Sequence, residues 1–126
     1  MNKTVLIVSE LLQDLNRMKD WFPAGCKIKG ASIFASVPAA LKKDSPDLVI
    51  LKIRSLEDFF LVYESMRNSV NTKDTPLIAI ANVVTRGTLR KNVILTNTTL
   101  KGESTRDSEM KSIIAGMLED AEDGQA

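Results

Sequence analysis

Four short runs of the chain are apolar without interruption: residues 5–8, 48–51, 77–81 and 93–95. Solid apolarity, unlike alternation, is what strands covered on both faces require. A fifth segment, Lys27-Ile28-Lys29-Gly30-Ala31, does alternate and suits an edge strand with one wet face. Between these runs the period changes. Leu11, Leu12, Leu15, Met18 and Phe22 fall on one face of a helix, and so do Phe59, Phe60, Val62, Tyr63 and Met66. A short helix is predicted over residues 37–43, with Pro38 tolerable in its first turn. The clearest stripe is Met110, Ile113, Ile114, Met117 and Leu118, with Ser104 and Asp107 ahead of it as a predicted capping pair. Trp21 and Phe22 read as core at the end of the first helix.

Strands that alternate with helices imply a parallel sheet with right-handed crossovers. The natural closure is an α/β, flavodoxin-like fold: five parallel strands in the order 2-1-3-4-5 with helices on both faces. The sequence is 126 residues long, which suits one domain with its own core. We expect that domain to span residues 1–119. The acidic segment 120–126 lacks apolar anchors and is expected to be a disordered tail or the start of a linker.

Composition narrows the function by exclusion. A net charge of +1 offers no field that would steer the chain to nucleic acid or a membrane surface. The run Val5-Leu6-Ile7-Val8 is too short for a secretory leader, and no stretch approaches the ~20 apolar residues of a membrane helix. With one cysteine, Cys26, no intrachain disulfide can form, and a reducing, cytoplasmic setting is expected. Cys26 itself reads as a small core or edge residue. There is no histidine, so the commonest general base and metal ligand are both missing. No glycine-rich phosphate loop follows any predicted strand. Enzymatic activity is not expected, nor is a cofactor or a bound metal.

The segment Pro46-Asp47-Leu48-Val49-Ile50-Leu51-Lys52-Ile53 resembles the third strand of bacterial response-regulator receiver domains. Lys3-Thr4-Val5-Leu6-Ile7-Val8 resembles their first strand, and Thr75-Pro76-Leu77-Ile78-Ala79-Ile80-Ala81 their fourth. The resemblance runs from about residue 3 to 119. In that family two acids after strand one and an aspartate ending strand three bind Mg²⁺, and the aspartate accepts a phosphoryl group. Here the acid pair is Ser9-Glu10, and the acceptor position holds Lys52. An ammonium group donates only; it cannot form an acyl phosphate and repels a metal. The hydroxyl residue after strand four corresponds to Ala81. The lysine ending strand five corresponds best to Asn97, with the switch aromatic then at Ile94; a second register would place Lys101 there.

The resemblance therefore implies a degenerate receiver, or pseudo-receiver. It implies a phosphorylation-independent interaction module of two-component signalling that binds a kinase, a regulator or a fused output domain, with a homodimer among the expected partners. A Lys52–Glu10 ion pair is expected where the metal would sit. Two alternatives stand: a phosphorelay through another acid, Glu10 or Asp58, or a small-molecule-binding domain. Asp58 and Glu57 follow strand three and read better as first-turn charges of a helix. Between strands four and five only residues 82–92 are available, with Gly87 inside and several β-branched residues. At most two turns of helix are predicted, so the family's fourth helix is expected to be shortened or lost. Its basic trio Arg86, Arg90 and Lys91 is the candidate partner surface, though a solvated loop is the better account of it.

Overall fold

Strands form where the apolar runs predict them, except the last. The computed structural model describes residues 2–123. In chain order the strands are β1 (Thr4–Val8), β2 (Lys27–Ala31), β3 (Leu48–Lys52), β4 (Leu77–Ile80) and β5 (Thr98–Lys101). They make one sheet in the order β2-β1-β3-β4-β5, every pair parallel, as the alternation of elements implies. The helices are α1 (Leu12–Met18), α2 (Val37–Asp44), α3 (Leu56–Arg67), α4 (Val83–Asn92) and α5 (Asp107–Asp123).

Successive strand residues point to opposite faces, and the core divides accordingly. Leu6, Val8, Val49, Leu51, Leu77 and Ala79 face a layer built by Val37, Leu41, Phe59, Val62, Met66 and Leu89, from α2, α3 and α4. Val5, Ile7, Leu48, Ile50, Ile78 and Ile80 face Leu15, Met18, Met110, Ile114 and Leu118, from α1 and α5. Each fully buried aliphatic side chain contributes roughly 1.5–3 kcal/mol, so both faces of the sheet are held by their helical layers.

The first helix is shorter than its stripe. It ends at Met18 and a 3-10 turn over Lys19–Trp21 follows. Leu15, Met18 and Trp21 are buried, whereas Leu12 is 67% exposed and Leu11 43%. The helix starts one residue after Leu11, so the first two leucines of the stripe lie over no part of the sheet.

The fourth helix is kept, contrary to the expectation of two turns or fewer. It runs for ten residues from its cap, Asn82, whose side chain accepts from Thr85 N at 2.8 Å. Such a cap is worth about 1 kcal/mol, and fully buried Leu89 anchors the middle of the helix. Those terms exceed the few tenths that each β-branched residue costs.

The fifth strand begins later than predicted. Because α4 continues to Asn92, residues 93–95 are consumed by the connection: Val93 N donates to Leu89 O, and Ile94 is 92% exposed. Arg67, at the end of α3, holds this connection in place. Its guanidinium donates to Thr96 O at 2.7 Å and Asn97 O at 3.2 Å, and Tyr63 Oη accepts from Thr96 N at 3.0 Å. Pairing with β4 then starts at Thr98, opposite Leu77. At the other end of the domain α5 continues to Asp123, past the expected boundary at 119, and residues 124–126 of the expected tail lie outside the described residues.

Candidate functional site

Parallel strands place all their carboxyl ends on one edge of the sheet, and the register fixes which residues gather there. Val8 lies opposite Leu51, Lys52 opposite Ile80, and Ile80 opposite Lys101. Ser9, Lys52 and Ala81 therefore lie at the same edge of the sheet, the edge at which such sheets bind ligands.

The ion pair is not the expected one. Lys52 Nζ donates to Asp14 Oδ2 at 3.0 Å, and Ser9 Oγ donates to the same oxygen at 3.1 Å. Ser9 is only 2% exposed. Its Oγ also accepts from Leu11 N, and its own N–H donates to Ala31 O. Glu10 instead accepts from Arg54 Nη1 at 3.1 Å, with the arginine side chain 71% exposed and the glutamate 40%. The reason is geometric. The chain turns at Leu11, whose carbonyl accepts from Asp14 N, so the first helical turn brings Asp14 back over Ser9. Glu10 is left outside, where it meets Arg54, two residues beyond the end of β3. Asp14 lies five residues past Ser9, the residue that follows β1, and its signal in the sequence is an acid in the first turn of the next helix.

On the other side of the crevice Ala81 is fully buried, and its N–H donates to Lys101 O at 2.9 Å. Its carbonyl accepts from Arg86 Nε at 3.1 Å. The Arg86 guanidinium lies over Gly102, where a Cβ would come within 3.0 Å of Nη2. Arg86 is thus turned into the crevice wall and leaves the candidate partner surface, whereas Arg90 and Lys91 remain exposed on α4. Asn97 does not belong to the site at all. It precedes β5 at the opposite end of the sheet, with φ of 48°, and its carbonyl accepts from Leu77 N. Lys101 ends the strand, the place the second register gives it, and its Nζ meets Glu109 Oε1 at 3.3 Å. Asp58 sits in the first turn of α3, where Ser55 Oγ caps its N–H at 3.2 Å, as a first-turn charge should. Burial pushes the Cys26 thiol above its ordinary pKa, which disfavours the reactive thiolate.

The Lys52–Asp14 pair divides the crevice. One recess is lined by Ser9, Glu10, Leu11 and Arg54, the other by Met18, Trp21, Ile80, Thr105 and Met110; Asp14, Lys52 and Glu103 border both. The second recess is clasped on its outer side by Asp107. That carboxylate accepts from Arg17 Nη2 at 2.9 Å and from Trp21 Nε1 at 3.0 Å. Hydrogen bonds from Arg17, then Trp21, hold the Asp107 carboxyl below its ordinary 3.8. A lowered folded pKa adds stability above the unfolded pKa, and that stability is lost as pH falls through the folded value. Thermal melts of Asp107→Asn should therefore lie below wild type at pH 5–7, by roughly 1–3 °C for a half-exposed pair, with the gap closing below about pH 4. A gap that persists undiminished at pH 2 would show that the charge is irrelevant.

Among the described residues no three acidic, histidine or cysteine side chains are grouped to hold a metal ion. Asp14 and Glu10, the two acids nearest the carboxyl ends of β1 and β3, are paired with Lys52 and Arg54.

No protein-family profile and no curated protein matches the sequence. Solved structures do. A signal receiver domain of a two-component histidine kinase from Clostridium thermocellum superposes with a TM-score of 0.74 at 18% identity, over 94% of this chain and 98% of that one. The chain has a receiver fold. The receiver domain of the sensor histidine kinase PA1611 from Pseudomonas aeruginosa, with magnesium coordinated in its active site cleft, gives 0.75 at 14% identity, over 93% and 98%. A response regulator receiver modulated diguanylate cyclase from Pelobacter carbinolicus gives 0.73 at 18% identity, over 98% and 97%. Within the receiver fold seen here, the strand end that faces the crevice carries Lys52, and no helix among the described residues is long and apolar enough to cross a membrane.

Proposed function

We propose that this chain is a pseudo-receiver: a cytoplasmic protein-interaction module of two-component-type signalling that works without phosphotransfer. The Lys52–Asp14 pair carries the reading. In a receiver that takes phosphate, the crevice collects carboxylates and a metal offsets them. Here Lys52 at the end of β3 and Arg54 just beyond it pair with Asp14 in the first turn of α1 and Glu10 in the β1–α1 connection. The protein's own ammonium does the metal's electrostatic work, and no acid is left at the end of β3 to be acylated. Ala81 removes the hydroxyl expected at the end of β4, and Lys101 is turned to Glu109. The domain is then held in one state, and its output is set by what it binds. The partner is a signalling kinase, a regulator or a fused output domain, in keeping with the kinase and cyclase receivers that share the fold. We assign it no enzymatic activity.

Incubation with Mg²⁺ and acetyl phosphate, followed by intact-mass measurement, tests this directly. The mass should not change. A stoichiometric gain of one phosphate would overturn the proposal, and peptide mapping would then show whether Glu10 or Asp58 had been acylated.

A further inference from the structure

The buried stripe of α1 does not stop with the helix. Leu15 and Met18 are followed by Trp21 in the 3-10 turn, and all three are buried. Elsewhere the chain leaves β5 at Gly102 and enters α5, where Met110 is the first buried residue. Thr105 pins the turn between them: its N–H and its Oγ1 both donate to Gly102 O, at 3.1 and 2.7 Å. Between this turn and α1 a recess is left, floored by Met18, Trp21, Ile80 and Met110. An indole, two thioethers and an isoleucine make a wall suited to an aromatic ring, because rings pack on indole and sulfur sits well at a ring edge. The recess is narrow and open-mouthed. About 20 Å³ at its depth takes one water, and about 350 Å³ lies within it when the mouth is counted. That admits one flat ring and is too small for a nucleotide.

The rim decides the charge of what binds. Two cations border the recess, and each already faces a carboxylate: Lys52 meets Asp14 at 3.0 Å, and Arg17 meets Asp107 at 2.9 Å. Glu103 borders it too, is exposed, and has no ion pair among the described residues. One negative charge is therefore left uncompensated at the mouth. The acceptors of the rim are also only partly used. Asp14 receives both of its side-chain hydrogen bonds on Oδ2, and Thr105 Oγ1 donates to Gly102 O but keeps its lone pairs for a donor. A cation with N–H groups meets unspent partners here. An anion meets Glu103 and two cations that are already paired.

We propose that this recess binds a small aromatic amine. The ring lies against Trp21, Met18 and Met110, and the ammonium sits at the mouth between Glu103 and Thr105. Ring area removed from water supplies the attraction, and Glu103 selects the charge. Asp14 and Lys52 border the recess, so occupancy reaches the ion pair at the end of β3 directly. The site goes beyond the pseudo-receiver reading and does not depend on it: a chain that took phosphate on another acid would hold the same recess.

Trp21 is the chain's one tryptophan, so its fluorescence reports the recess alone. The full chain is titrated with phenethylamine, phenethyl alcohol and phenylacetate, which share a ring and differ in charge. Phenethylamine should saturate the signal with a dissociation constant on the order of 1 mM, the alcohol should bind more weakly, and phenylacetate should not bind. Amide resonances of residues 102–105 and the Trp21 indole N–H should shift with the same constant. Glu103 is exposed, so its substitution leaves the core intact. Glu103→Gln should weaken the amine by about threefold or more and leave the alcohol unchanged. Glu103→Lys should reverse the preference and favour phenylacetate. Equal binding of all three compounds would reveal an apolar surface without selectivity and overturn the proposal. So would a wild type that prefers phenylacetate, an amine affinity indifferent to Glu103, shifts that fall elsewhere in the domain, or no saturation at all. A mass gain with acetyl phosphate would instead overturn the phosphorylation-independent reading and leave this site standing.

Discussion

Replacing Arg67 by alanine should cost about 3 kcal/mol and lower the melting temperature by roughly 10 °C. The guanidinium is the joint between α3, the connection ahead of β4 and the connection ahead of β5. Nη1 donates to the carbonyls of Thr72, Lys73 and Thr75 at 3.3, 3.2 and 2.9 Å, and Nη2 to those of Thr96 and Asn97. It also lies 5.2 Å from the Tyr63 ring, which stacks on Phe59. Five charge-assisted hydrogen bonds taken at face value would exceed 7 kcal/mol, but that sum overcounts. Several of the carbonyls can turn to water, and Nε is already buried with no partner, a cost the native state carries and the variant sheds. Arg67→Lys should recover less than half of the loss, because one ammonium cannot span two loops that a planar fork reaches together. Burial pushes the Tyr63 phenol up, but its hydrogen bonds with Thr96 and the neighbouring Arg67 outweigh this and leave it below its ordinary 10.0. The Tyr63 titration should therefore rise in Arg67→Ala. Hydrogen exchange should quicken first at residues 93–97, with β1 and β3 still protected. Uniform loss of protection across the sheet would refute the joint.

That joint also explains which parts of the chain were legible in advance. β1, β3 and β4 could be read from their residues alone because each is buried on both faces, and a solid apolar run has few other uses. Sheet order followed from alternation and the handedness of crossovers. The fifth strand failed for the opposite reason. Thr98-Thr99-Leu100-Lys101 is a half-buried edge strand with a weak pattern, while the stronger run Val93-Ile94-Leu95 is claimed by the end of α4 and by contacts from Arg67 and Tyr63 some thirty residues earlier. Choosing the wrong strand carried Asn97 into the site and put Lys101 second. The crevice itself was legible as a set of strand ends, so Ser9, Lys52 and Ala81 were found together. Its ion pair was not, because the choice between Glu10 and Asp14 depends on where α1 begins, and a helix boundary is among the least determined features of a sequence.

The substitution Lys52→Asp asks whether the ammonium stands in for a metal. It would place a third carboxylate beside Asp14 and Glu10 and remove the cation that offsets the first. Asp14 is 14% exposed and Lys52 27%, so repulsion there is only partly screened by water. Without divalent cations the variant should lose about 3 kcal/mol, against about 1 kcal/mol for Lys52→Met, which leaves Asp14 the Ser9 hydroxyl. Arg54→Met should cost at most about 0.5 kcal/mol, because the Arg54–Glu10 pair is exposed. Mg²⁺ then separates two accounts of the loss. If the Lys52 ammonium occupies a place suited to a cation, Mg²⁺ at tenfold its dissociation constant should return about 1.4 kcal/mol to Lys52→Asp, while wild type should gain nothing. Thermal melts with and without Mg²⁺ measure both. A variant that ignores Mg²⁺ would mean the geometry of the acids has drifted beyond coordination, and Lys52 would then be a surface-seeking lysine and not a tethered counter-ion. Recovery in the variant alone would show that one side chain at the end of β3 decides whether this fold depends on a metal or supplies its own charge.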